Sequence, residues 1–179
     1  MATDLGMALV PESRKEQGLV LGQGGRANIS LPHPSLFSRA TIMNVNEEMR
    51  IFEIYKKRLE IKTTGPEQVL SDLSGGNQQK FVLAKWLCAD PKLIILDEPT
   101  RGIDIGSKSA IHELIAGLAE NGLAVIVISS EMPEVLGVSH RILTMSEGHL
   151  VGEFSGDEMT EKNLIEAVSH RAQEELLPA

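Results

Sequence analysis

The run Leu93-Ile94-Ile95-Leu96 constrains this chain most, because every position is apolar and the run stops abruptly at Asp97-Glu98-Pro99. A strand with one wet face alternates polar and apolar residues, so a run without alternation belongs inside a parallel sheet covered on both faces. Residues 124–128, AVIVI, form a second such run. Between the two, Ile111, Leu114, Ile115 and Leu118 fall at i, i+3, i+4 and i+7, the apolar stripe of one helix, which Asn121-Gly122 closes. Strand, helix and strand at these lengths predict a right-handed parallel crossover and an α/β fold.

Of the 179 residues 42% are hydrophobic but only 3% aromatic, so the core is to be built from Leu, Ile, Val, Ala and Met. A net charge of -8 argues against a nucleic-acid-binding face, which needs clustered Lys and Arg. The one basic run, Lys56-Lys57-Arg58, reads as a solvated helix face. The single cysteine, Cys88, precludes an internal disulfide; lying between Leu87 and Ala89, it reads as a buried thiol rather than a nucleophile and suits a reducing cytoplasm. Residues 1–10 lack a signal peptide's basic start, having Asp4 there. The longest strongly apolar run, 123–128, falls far short of the roughly 20 residues that span a bilayer, so membrane association is expected through a partner. His33, His112, His140, His149 and His170 are scattered without metal-ligand spacing.

Along the rest of the chain, residues 7–10 read as a buried strand stopped by Pro11, followed by a polar loop and a glycine-rich stretch, 18–25. Met49, Phe52, Tyr55 and Leu59 mark an amphipathic helix over 46–60, with Glu47 and Glu48 in its first turn. Ser74 is placed to cap a helix running to about Ala89. Residues 141–145 and 149–154 read as two strands joined at Ser146-Glu147-Gly148, and a last helix is expected over about 161–175.

Two features carry chemistry. Ligands of open parallel sheets bind beyond the carboxyl ends of the strands, where Asp97 and Glu98 lie. Adjacent carboxylates there suit a magnesium-nucleotide site, one orienting Mg²⁺ and the other polarising water, but alone they suit a solvated strand end equally. Ser74-Gly75-Gly76 at a helix start offers unpaired N–H groups, a hydroxyl and the positive end of the dipole to a phosphate; alone it suits an ordinary capped helix.

Together, LSGGNQQK at 73–80, LIILDE at 93–98, RGID at 101–104 and SSE at 129–131 occur in the order and spacing of the ATP-binding-cassette (ABC) ATPases. They resemble that family's signature motif, Walker B strand, D-loop and switch segment. The wording is similar to the second cassette of the tandem ATPases of bacterial ribose, galactose or xylose importers, and the resemblance runs from Met7 to about Val168. It implies a P-loop NTPase-like parallel sheet with helices on both faces and a helical subdomain. It implies ATP and Mg²⁺ as ligands, Asp97 as the metal residue and Glu98 as the catalytic carboxylate. Ser74, Gly75, Gly76 and Asn77 would contact the γ-phosphate of ATP held by an opposed cassette, with Asp104 and Ser130 contributing from the D-loop and switch. Glu12 stands where the family has a nucleotide-sensing Gln, and the cleft beside it would receive a permease's coupling helix. The implied partners are transmembrane permease subunits, a second cassette and, indirectly, a periplasmic sugar-binding protein, on the inner face of the membrane.

This sequence departs from the family pattern twice. No G-x-x-x-x-G-K-[ST] occurs, and Gly22-Gln23-Gly24-Gly25-Arg26 does not replace it, so the fold is expected to be incomplete at its N-terminus. Ser130 stands where most cassettes have a charged-capable His, which predicts a catalytically weak site on this half. The organisation expected is 1–25, core strand and Gln-loop-like segment; 26–72, helical subdomain; 73–156, cassette core; 157–179, C-terminal helix and tail. Two functions compete, an ATPase half acting on a composite site and a nucleotide-free module docking on a permease or a cassette. A soluble cassette of translation or DNA repair is disfavoured by the acidic balance.

Overall fold

The computed structural model describes residues 2–39 and 41–174, and separates the chain into two compact units, Met1–Ile128 and Ser129–Ala179. In chain order the first unit contains β1 (Met7–Val10), α1 (Gly25–Ser30), β2 (Ser38–Arg39), β3 (Ile42–Met43), α2 (Val45–Arg58), α3 (Gly75–Leu87), β4 (Leu93–Asp97), α4 (Ile105–Glu120) and β5 (Ala124–Ile128). Its main sheet is parallel, in the order β1-β4-β5, so the run that stood out in the sequence is the central strand. Residues 124–128 differ from expectation: β5 ends the row, and its burial alternates, because among the described residues no strand pairs with its outer side.

One face of this sheet is closed. Ala8, Val10, Ile94 and Leu96 are buried together with Phe81, Val82, Ile111 and Ile115 from α3 and α4. The opposite face carries Met7, Leu9, Leu93, Ile95, Ala124, Ile126 and Ile128, placed in register across the three strands. It is open, with Leu9 50% and Ile126 47% exposed.

The sequence motifs explain the helices. Ser74 caps α3 as expected, its Oγ accepting from the Asn77 N–H, and Asn44 caps α2 in the same way through the Glu47 N–H. The α2 stripe seats Phe52 on Phe81, ring centroids 6.2 Å apart, and Tyr55 donates to the Leu87 carbonyl at 2.7 Å. Helix α1 was not expected. It exists because Gly25 lets the chain press onto the Phe81 ring, which a Cβ there would meet at 2.4 Å. The fully buried Asn28 then satisfies the incoming loop, accepting from the Val20 N–H and donating to the Val20 and Gly24 carbonyls. Burial pushes the Cys88 thiol up to about 11, in keeping with an inert cysteine.

Buried Glu48 on α2 binds Arg26 of α1 and accepts from Ser30, while Arg26 also reaches Glu67 at 2.7 Å. Removing Arg26 strands a carboxylate that is only 6% exposed. The variant Arg26→Ala is therefore expected to lose about 3 kcal/mol in urea unfolding, and Glu48→Gln in that background to recover part of it.

The second unit holds α5 (Met132–Val138), β6 (Arg141–Ser146), β7 (His149–Ser155) and α6 (Glu161–Glu174). The hairpin turns where the sequence indicated: Glu147 and Gly148 have φ of +47° and +76°, the two left-handed residues of a tight hairpin turn. Helix α6 packs on both strands, and Leu164 and Ile142 are buried. The expected polar tail, 175–179, lies outside the described residues.

Candidate functional site

The carboxyl end of β4 presents the paired carboxylates. Strand alternation puts Asp97 on the same face as Leu93 and Ile95, which is the open one. At Glu98 the chain hooks sharply: its φ is +47°, its N–H donates to the Ile128 carbonyl at 2.8 Å, and its carbonyl accepts from the Arg101 N–H at 3.1 Å. A left-handed glutamate costs on the order of 1 kcal/mol, strain that the pairing with β5 holds in place and that concentrates at functional sites.

The start of α3 is the second element. Besides accepting from the backbone of Asn77, the Ser74 hydroxyl accepts from its Nδ2 at 2.9 Å, and Asn77 Oδ1 accepts from the Lys62 N–H at 2.8 Å. The turn is thus fixed by its own side chains. Both glycines are required by packing. A Cβ on Gly75 would lie 2.7 Å from Arg14 Nη2, and one on Gly76 would lie 2.7 Å from Ser107 Cβ on α4.

The polar loop after β1 closes over these elements as one wide turn, Arg14–Gly18, which Ser13 caps by accepting from the Glu16 N–H at 3.3 Å. Arg14 crosses to the other segments, donating to the Arg101 carbonyl at 2.8 Å, the Gly102 carbonyl at 3.1 Å and Gln78 Oε1 at 3.2 Å. Burial holds its guanidinium below the ordinary arginine range. Glu12 forms an ion pair with Arg101, and the two line an open cleft of about 540 Å³ with residues 13–17 and Gly102. Asp104 caps α4, and hydrogen bonds from Ser107 hold its carboxyl below the usual carboxylate range.

Of the residues the sequence singled out, the first unit therefore brings Glu12, Gly75, Gly76 and Asp104 into one contact network through Arg14, Arg101, Gly102 and Ser107. Ser74 and Asn77 form the adjoining turn. Asp97 and Glu98 lie just upstream of Arg101 in the chain. Ser130 belongs to the second unit, where it is exposed at the start of α5 beside Ser129, which accepts from the Glu131 N–H and donates to Glu134. Arg14 and Ser107 carried no signal of their own in the sequence, and Gln78 only as part of the run 73–80, because their partners lie far along the chain.

Residues 15–101 match the family model described as ABC transporter. Over 164 residues, 92% of the chain, the sequence is 46% identical to the ribose import ATP-binding protein RbsA of Roseobacter denitrificans, covering 32% of that protein. It is 44% identical to the Bacillus subtilis protein of the same description, again over 92% of the chain, and covers 33% of it. The chain thus spans about a third of the length of the curated relatives it matches. Among solved structures, cbiO1 from Clostridium perfringens, described as part of the ABC transporter complex cbiONQ, superposes with a TM-score of 0.73 at 22% identity, over 97% of this chain and 67% of that one.

Proposed function

Because the chain belongs to the ABC transporter ATPases, we propose that it is part of a nucleotide-binding domain of a sugar importer and that the turn at Ser74, Gly75, Gly76 and Asn77 contacts the phosphate of ATP held by a partner cassette. The observation that supports this most is the likeness, over 92% of the chain, to ribose import ATP-binding proteins. The local chemistry is in keeping with it. The first turn of α3 presents N–H groups of residues without side chains, at the positive end of the helix dipole.

Mg²⁺ fits the donors present: Asp97 and Glu98 are adjacent carboxylates at the end of a central parallel strand. Asp97 would hold the ion, which when bound offsets phosphate charge. Glu98 would accept a proton from the attacking water, its position set by the hook onto Ile128. Asp104 and Ser130 would join the partner's site, and Glu12 with its cleft would meet a permease subunit. The sugar-binding protein would act only through that permease. No helix among the described residues is long and apolar enough to cross a membrane, and we place the chain peripherally, on the cytoplasmic face. Residues 26–72 would serve as the helical subdomain.

The test has two arms. Titrated alone with Mg-ATP, the chain is expected to bind with Kd above about 1 mM, since no G-x-x-x-x-G-K-[ST] loop occurs within its 179 residues to cradle the phosphates. Mixed with the full-length Bacillus subtilis relative, it is expected to raise that protein's turnover of Mg-ATP. Micromolar binding by the chain alone would overturn action in trans, and absence of stimulation would favour the nucleotide-free docking module.

A further inference from the structure

Arg14 is the most connected side chain around the Ser74 turn, and nothing in the functional reading uses it. Its three donor nitrogens reach three acceptors, 64, 87 and 88 residues away along the chain. All three acceptors are neutral, two backbone carbonyls and an amide oxygen, so the fork is placed by geometry rather than by a carboxylate. The carbonyls belong to consecutive residues, which point apart in an extended chain. Gly102, at φ +65°, turns both toward one guanidinium. On its other side the guanidinium packs against Gly75, leaving no room for a Cβ. Gln78, which takes the third bond, is buried and donates its own amide to the Leu70 carbonyl at 2.9 Å, so that end of the contact is rigid.

We propose that Arg14 is a positioning residue that locks the turn at residues 74–77 to the loop at 101–104, so that the segment 13–18 shifts both together. The part of this that concerns ATP turnover in trans rests on the proposed function; the mechanical coupling does not. A lysine here keeps the charge but presents its three N–H donors from one nitrogen, so it does not reproduce the spread of Nε, Nη1 and Nη2 over the two carbonyls and Gln78. Arg101 and Gly102 are exposed, so water satisfies their carbonyls once the fork is gone. Local register is lost while the fold persists.

The experiment is amide hydrogen exchange on the full chain with Arg14→Lys, beside Glu12→Gln, which breaks the ion pair to Arg101 but leaves the fork. The lysine variant is expected to melt within about 2 °C of the parent and to exchange about tenfold faster at the hydrogen-bonded amides of Asn77, Gln78 and Ile103 alone. Glu12→Gln is expected to keep protection at Asn77 and Gln78. Unchanged protection in Arg14→Lys overturns the coupling. So does a loss of protection spread over the whole first unit with a matching fall in melting temperature, which marks a general structural role. In the trans assay, Arg14→Lys is expected to lower the kcat of the stimulated reaction about tenfold with KM unchanged. If the parent stimulates and the lysine variant matches it, the relevance of the coupling to turnover fails. If the parent itself does not stimulate, the proposed function fails and hydrogen exchange still decides the coupling.

Discussion

Gly76→Ala is expected to loosen the first unit by about 2 kcal/mol, and Ser107→Gly to restore most of that loss when the two are combined. The reason is a contact between helix starts: Gly76 is buried at the beginning of α3, and a Cβ on it would meet Ser107 Cβ at 2.7 Å and Ser107 Oγ at 2.8 Å. No real Cβ tolerates that approach, so α3 must retreat from α4, at the cost typical of overpacking. Removing the opposing Cβ through Ser107→Gly reopens the space, which makes the pair non-additive in a double-mutant cycle followed by chemical denaturation. The same background separates packing from electrostatics. Gly76→Asp with Ser107→Gly is expected to fold, yet to lose stimulation of a partner cassette, because a carboxylate then stands among the N–H groups that we propose meet a phosphate. If Gly76→Asp with Ser107→Gly stimulates as well as Ser107→Gly alone, the turn does not meet the phosphate. If Gly76→Ala is as stable as the parent, the two helix starts are not in contact.

The motifs were legible because each is a short run whose chemistry is local. The apolar run 93–96 announced a central strand, and β4 is one; Ser74 ahead of Gly75-Gly76 announced a capped helix, and α3 is one. Elements held by distant contacts were not legible. Gly25 looks like the end of a glycine-rich loop, and residues 25–30 become α1 only because Phe81, more than fifty residues on, accepts Gly25 against its ring. Residues 132–138 hide a helix behind Pro133, which a helix tolerates in its first turn, where its missing N–H has no partner to lose. Arg14 looks like one more charge in a polar loop, and its role depends on carbonyls that only the fold brings near. The local structure around the motifs could thus be anticipated, whereas the contacts that Arg14 makes with them could not.

At rising concentration the chain is expected to associate with itself through the open face of its parallel sheet. Parallel sheets are ordinarily covered on both faces, yet here Met7, Leu9, Ile126 and Ile128 are each at least 36% exposed and stand in one continuous apolar surface with Leu93 and Ile95. Both margins of that sheet, β1 and β5, also lack a further strand among the described residues. A second copy offers the same surface and satisfies both needs, burying roughly 1.5 to 3 kcal/mol per fully covered aliphatic side chain against the entropy of association. The net charge of -8 opposes this, so association is expected to strengthen with salt. Light scattering over a micromolar to millimolar series should give a mass that climbs above that of one chain. Leu9→Lys with Ile126→Lys, at positions already half exposed, should return the protein to a monomer with unchanged circular dichroism, because two ammonium groups would have to be desolvated at the contact. A parent that stays monomeric throughout would show that the face is covered in solution. Association that persists undiminished in the double lysine variant would place the contact elsewhere.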